Sequence, residues 1–226
     1  MRMPTTLILS KDAINEAIMA FEVSWSKETG FSTYNKKYSK PVVPAPDTTD
    51  SGVTIGIGCD LSFYSPSMVM TEWGGVLPLD MVKDLQKVAG LKKKAAVNAL
   101  PLLKNVYIPI EAALQVFYNK TIFKFAKQAL SIYPDLPKLH PVEISVIISL
   151  VYNRGAALQG DRRKEMKQLV TDIKNDNDKD MAATILSMCR LWPNVAGLIK
   201  RRKAEAALIL LPDLPLEELD KLYITL

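Results

Sequence analysis

Prolines and glycines punctuate this chain so regularly that they confine most of it to short helices. Ser65-Pro66 opens an apolar-periodic segment that stops at Gly74-Gly75. Pro78 opens another, ending near Gly90, and a third runs from about Lys92 to Leu100 and meets Pro101. Pro109 starts a long segment through "IEAALQVFYNKTIFKFAKQAL", and Pro141 starts the most apolar one, ending at "VYNRG". Proline is tolerated at the first helical position because its missing N–H has no intrahelical partner there, and glycine past the last turn ends a helix. Asp161 is read as the cap of a basic helix to about Asn175, and residues 179–191 and 194–210 form the last two helices. The tail "LPDLPLEELDKLYITL" predicts a short helix and an extended end. At the other end, Ser10 is an N-cap and Asp12 suits the positive pole of a helix. Ile14, Ile18, Phe21 and Trp25 then recur at steps of four, three and four, one apolar face of a helix of about four turns. Glu22 lies at the edge of that face, near the helix end.

The stretch "SGVTIGIGCD", Ser51–Asp60, departs from this pattern. Its β-branched pair and three glycines predict a strand over Gly52–Gly58. Before it, "KETGFSTYNKKYSKPVVPAPDTTD" is basic, then proline-rich, without a helical period, and reads as a loop with room for a short strand. The fold class predicted is therefore α+β: mainly helical, with a small N-terminal β-hairpin or sheet lobe. No internal repeat occurs, and no linker is long enough to separate independent domains. One domain over residues 1–226 is expected, with an N-terminal lobe at about 10–75 and a helical lobe at about 76–226.

The chain has 226 residues, 48% of them hydrophobic, enough for a sizeable core. Its net charge of +5 favours polyanionic partners or serves solubility alone. Cys59 and Cys189 are too far apart for a metal spacing and too few for a disulfide framework, so free thiols are expected. "MRMPTTLILSKD" is too polar for a signal-peptide core, and the longest apolar run, "ISVIISLVY", is too short to span a bilayer. A soluble chain made in the cytoplasm without a signal peptide is expected.

Most catalytic sets are missing. The one histidine, His140, precedes Pro141 and reads as a cap, which removes histidine triads and most zinc sites. No glycine-rich phosphate loop is followed by lysine, and "GIGCD" has no βαβ unit after it. Carboxylates remain. A general acid working near neutrality must keep its proton, and partial burial disfavours the ionised form. Glu22, at the rim of an apolar face, is a candidate for that role. Its bland alternative is an ordinary boundary residue.

The glutamate late in the first helix, the polar loop and "GVTIGIG" together resemble the phage-type lysozymes. "SGVTIGIGCDL" is closer still to the pesticin-like branch, whose strand reads "SGVTIGxGxDL". Two later segments agree with that branch: "SLVYNRGAALQGDRRKEM", Ser149–Met166, and "LWPNVAGLIKRRKAEAAL", Leu191–Leu208, with its G-L-x-x-R-R-x-x-E-A pattern. The likeness spans about residues 12–210. It implies a lysozyme-like fold with a cleft between two lobes. It implies Glu22 as the general acid, Thr54 as the residue that positions the attacking water, and Asp60 as the aspartate closing the motif. The chain departs from the branch in placing "PVVPAPDTTD" before the strand and Cys59 before the aspartate. In typical phage lysozymes a second carboxylate precedes the threonine by six. Here that slot holds Thr48, flanked by Asp47 and Asp50, which are second choices as partner because they lie on the proline-rich loop. Gly56 and Gly58 either let a sugar chain approach the backbone or build a tight hairpin, and both readings stand. Asn153 either binds an N-acetyl group or caps its helix. Arg154 either binds stem-peptide carboxylates or belongs to a solvated basic face.

The resemblance implies hydrolysis of the β-1,4 bond between N-acetylmuramic acid and N-acetylglucosamine in peptidoglycan, without metal or organic cofactor. Peptidoglycan glycan strands are the expected partner, acting on the wall or periplasm after delivery by a holin or secretion system. An endolysin and an antibacterial toxin fit equally. A toxin would bring an immunity protein that plugs the cleft. A monomer is expected, with neither nucleic acid nor stable membrane insertion. Two alternatives are a non-catalytic peptidoglycan-binding module and a basic nucleic-acid-binding protein. Glu22 speaks against the first. The scatter of basic residues over many segments speaks against the second.

Overall fold

The computed structural model describes residues 4–47 and 50–226. It is mainly helical, with two small antiparallel sheets of two strands each among the described residues. The chain forms two compact units, Met1–Phe21 with Ile122–Leu226, and Glu22–Thr121.

In the first unit the chain ends meet. Strand Thr6–Ser10 pairs antiparallel with Lys221–Thr225, Thr6 opposite Thr225 and Ser10 opposite Lys221. The extended tail was expected, but its partner strand was not. Leu7 and Leu9 are buried on one side of the N-terminal strand, as period-two alternation requires. Ser10 then caps the first helix, its Oγ accepting from the Ala13 N–H at 3.0 Å. Helix Pro141–Arg154 is the centre of this unit, packing against Thr6–Ser10, Ile122–Ile132 and Ala196–Ile209. Every residue from Ile144 to Val151 is buried, which explains its nearly unbroken apolar run. His140 is its cap: Nδ1 accepts from the Val142 N–H, and Glu143 Oε2 accepts in return from the His140 N–H.

The "RRKAE" motif turns inward in this unit. Arg201, Arg202 and Glu205 on helix Ala196–Ile209 are 3%, 0% and 0% exposed. Glu205 Oε1 accepts from the Ser149 hydroxyl at 2.7 Å, Arg201 Nε at 3.3 Å and Arg202 Nη2 at 2.9 Å. Arg201 also lies over the rings of Phe21 and Tyr152. The segment is a buried ionic clamp between two helices.

Three local expectations are corrected. The first helix is not uniform: Lys11–Ile14 and Ala20–Glu22 are α-helical, but Asn15–Met19 is a π turn. The inserted residue shifts the face on which everything after it falls, so spacing at 3.6 residues per turn does not locate Glu22. The helix also stops at Glu22, leaving Trp25 beyond it. Asp161 caps no long helix. It opens the short turn Asp161–Arg163 before helix Lys164–Lys174, and its carboxylate pairs with Arg190 Nη1 at 3.0 Å. The long segment after Pro109 is interrupted by a second π turn, Phe117–Thr121.

The second unit carries the strand motif. Its core is built from Val53, Ile55, Leu61, Val69, Trp73, Val82, Leu85 and Ile108, all essentially buried. Helices Pro66–Trp73 and Leu79–Lys87 begin where the prolines predict, Ser65 capping the first through the Met68 N–H. The loop reading of residues 27–50 is corrected in part. A helix, Ser32–Lys37, lies inside it, too short to show a period. Tyr34 anchors that helix, fully buried, with its hydroxyl donating to the Ile108 carbonyl at 3.0 Å. Among the described residues of both units, no helix is long and apolar enough to cross a membrane.

Candidate active site

The glycine-rich stretch is a hairpin rather than one strand. Thr54–Ile55 and Cys59–Asp60 are antiparallel, with Thr54 opposite Asp60 and Ile55 opposite Cys59. The turn between them holds Gly56 at φ 56° and Gly58 at φ 65°, left-handed conformations that favour glycine. Gly56 is constrained twice, because a Cβ there would meet Trp73 Cη2 at 3.0 Å. Thr54 and Asp60 do share one face, but as cross-strand partners and not as steps along one strand.

Val42 extends the hairpin on its other side. Its N–H donates to the Thr54 carbonyl at 3.1 Å, and the Thr54 N–H donates back at 2.7 Å. The proline-rich segment is thereby pinned beside the motif. Glu22, Tyr38, Val42, Pro44, Thr54, Gly56 and Gly58 line one pocket of about 240 Å³. The two sequence features, the glutamate late in the first helix and the glycine-rich stretch carrying Thr54, Gly56 and Gly58, thus meet at one concavity. Its volume is below the range of about 300–1,000 Å³ usual for drug-sized ligands. Glu22 is half-buried. The neighbouring Val42, Pro44, Gly56 and Gly58 offer it no side-chain charge.

Tyr38, Val42 and Pro44 are the lining residues that sequence reasoning missed. The signal was present: an aromatic and two apolar residues in "YSKPVVP", within an otherwise polar, basic loop. Tyr38 is half-buried and its hydroxyl lies 3.4 Å from Ser24 Oγ. It supplies a ring face with a polar tip.

Asp60 is placed differently from the other motif residues. Its Oδ1 accepts from the Gly52 N–H at 3.1 Å and the Ser62 N–H at 2.8 Å. It closes the hairpin and caps the turn Leu61–Phe63. Gly52 must be glycine for a steric reason. A Cβ would come within 2.3 Å of the Leu91 carbonyl oxygen and 2.7 Å of Ser62 Cβ. Neither can swing aside, so Gly52→Ala forces residue 52 away from Leu91 and Ser62 and breaks its hydrogen bond to Asp60. We expect a loss of about 1–3 kcal/mol, the range for overpacking a filled site. Chemical denaturation read by tryptophan fluorescence measures it, and an unchanged midpoint would refute the close-approach account.

Cys59, on the second strand of the hairpin, neighbours Tyr64, Glu72 and Trp73. Desolvation pushes its thiol up to about 12, against hydrogen bonds with Tyr64 and Trp73 that pull the other way. Tyr64 donates its hydroxyl to Glu72 Oε2 at 2.8 Å. Cys59 is half-buried, and a thiol held in its protonated form is a poor nucleophile. Iodoacetamide at pH 8 is therefore expected to leave Cys59 unmodified in the native protein and to label it fully in guanidinium. Peptide mass mapping distinguishes the two, and native labelling of Cys59 would show that the site is open.

The loop aspartates lie apart from the lining residues. Asp50 is exposed and pairs with Lys93 Nζ at 2.7 Å, and that hydrogen bond holds its carboxyl below the usual range. Asp47 is an exposed turn residue. Thr48, the slot for a second carboxylate in typical phage enzymes, lies outside the described residues. Asn153 and Arg154 belong to the other unit. Asn153 is exposed on the last turn of helix Pro141–Arg154. Arg154 is 8% exposed, so it is not part of a solvated basic face. It donates through Nη2 to the Arg162 carbonyl and lies 5.0 Å from the Trp192 ring centre. Burial, with Arg163 and Arg202 next, pushes it down to about 10.

No family model matches the chain, and no curated protein matches it in sequence.

Proposed function

We propose that this protein is a peptidoglycan hydrolase of the muramidase type, with a lysozyme-like fold of the pesticin-like branch. One observation carries the reading: Glu22, Thr54, Gly56 and Gly58, chosen from the motif resemblance, line a single pocket. Thr54, Gly56 and Gly58 belong to one hairpin, so the informative meeting is that of this hairpin with Glu22, more than thirty positions earlier in the chain.

In this reading Glu22 protonates the leaving glycosidic oxygen. The Thr54 hydroxyl holds a water for attack on the opposite face of the sugar ring. Tyr38 offers a ring face and hydroxyl to the sugar. Asp60 is a positioning residue in this scheme, because its Oδ1 fixes the two ends of the hairpin that carries Thr54. The glycine turn serves the hairpin and also leaves the pocket floor without side chains, so both readings of the glycines contribute. Substrate is polymeric wall, of which the pocket receives one ring. The work is lysis of the wall after delivery to it, as endolysin or antibacterial toxin.

The direct test is turbidity clearance of purified bacterial sacculi, followed by mass analysis of the released fragments. Muropeptides with reducing N-acetylmuramic acid ends are expected. Absence of clearance by the folded wild-type chain, on walls that a known lysozyme dissolves, would refute the assignment.

A further inference from the structure

A second group of carboxylates lies on the unit formed by Met1–Phe21 and Ile122–Leu226. Glu143, Asp176 and Asp178 each offer an oxygen within 4.8 Å of those of the other two. Glu143 is 3% exposed. Its Oε2 is used by the His140 N–H, as described for the cap. Its Oε1 is buried and meets no N–H or hydroxyl donor; the side chain it faces is the Asp178 carboxyl, another acceptor unless one of the two holds a proton. A buried carboxylate oxygen without a donor is costly, and native structures normally satisfy such groups.

The surroundings provide no side-chain cation to do so. None of the ion pairs among the described residues includes Glu143, Asp176 or Asp178. Asp213, another acid, and His140 also act on Glu143. The Nδ1 of His140 accepts from the Val142 N–H and lies 3.7 Å from Asp213, and its Nε2 meets the Leu214 carbonyl at 3.0 Å. Asp178 has a local explanation, since it stands in the first turn of helix Asp178–Ser187 and meets its positive pole. That explanation covers neither Glu143 Oε1 nor Asp176. Asp176 sits at φ 51°, between helices Lys164–Lys174 and Asp178–Ser187.

We propose that Glu143, Asp176 and Asp178 form a binding site for a hard divalent cation of the Ca²⁺ class, which ties the start of helix Pro141–Arg154 to the turn before helix Asp178–Ser187. Three carboxylates and no nitrogen or sulfur select a hard ion. Ca²⁺ takes oxygens at about 2.3–2.6 Å, so ligands across it stand up to about 5 Å apart, which accommodates the observed spread. Mg²⁺, at about 2.0–2.1 Å with strict octahedral geometry, would need the three oxygens drawn closer. Asp176 is exposed and Asp178 half-buried, which gives the ion a route from water and room for water ligands. The ion would be a structural staple. Its site shares no residue with the Glu22 pocket, so the proposal stands whether or not the protein is a muramidase.

The test is calorimetric titration of the chelator-treated full chain with CaCl₂, with MgCl₂ and MnCl₂ in parallel, together with thermal unfolding. One Ca²⁺ per chain is expected, with a rise in melting temperature of about 5–10 °C at a hundredfold excess over Kd. Asp176→Asn, an exposed change that leaves packing alone, is expected to weaken binding at least tenfold. Glu143→Gln is expected to abolish it. No saturable binding at millimolar Ca²⁺, as when a proton shared between Glu143 and Asp178 takes the ion's place, would overturn the proposal. Unchanged affinity in folded Asp176→Asn, or preference for Mg²⁺ over Ca²⁺, would overturn it equally.

Discussion

Glu22→Gln lowers wall-lytic activity at least about a hundredfold and leaves the melting temperature within a degree or two of wild type. The magnitude is that of general acid catalysis, which contributes roughly 10²–10⁴ in rate. Glutamine keeps the length, planarity and hydrogen-bonding capacity of the side chain, so it keeps the pocket's shape. It has no proton to give to a leaving oxygen. The alternative partners offer no substitute acid among the described residues that line the pocket, since the rest are Tyr38, Thr54, two glycines, Val42 and Pro44. Rates of sacculus clearance at matched concentrations decide the matter. Lysis within threefold of wild type, by a variant with native unfolding behaviour, would mean that Glu22 is a boundary residue and that the mechanism lies elsewhere.

Glu205→Ala destabilises its unit by about 3–5 kcal/mol, the cost of stranding a buried partner charge. The carboxylate is fully buried and is the acceptor for both Arg201 and Arg202. Removing it takes from two interior guanidinium groups an acceptor they share. It also removes an acceptor of the Ser149 hydroxyl on helix Pro141–Arg154, so two helices lose their polar link. Denaturant unfolding of the full chain, read by far-ultraviolet circular dichroism, should show an early transition or a shifted midpoint. A change under 1 kcal/mol would mean that water reaches the arginines and that the clamp is not dry. The effect on lysis should follow loss of folded protein, which separates this residue from Glu22.

Local backbone chemistry was legible in the sequence. Ser10, Ser65 and His140 cap the helices they were expected to cap, and prolines open Pro66–Trp73, Leu79–Lys87 and Pro141–Arg154, because these devices act within one turn of chain. Glu22, Thr54, Gly56 and Gly58 were singled out through motif resemblance rather than periodicity, and they line one pocket. Helix Ser32–Lys37 was not, since six residues carry no period and its hold on the fold is one buried tyrosine bonded to a carbonyl 74 positions away.

Only tertiary structure decided the rest. A π turn at Asn15–Met19 re-aims everything after it, and it is invisible to any reading at 3.6 residues per turn. The pairing of Thr6–Ser10 with Lys221–Thr225 joins residues 219 positions apart, which no local pattern encodes. The fates of the charged residues were settled the same way. Asp60 turned its carboxylate to two backbone N–H groups, Arg154 and the Arg201–Arg202–Glu205 set went into the interior, and Asp50 stayed at the surface with Lys93. A charged side chain's role depends on which partner the fold brings within about 3 Å and how much water it removes. Composition and spacing along the chain carry neither quantity.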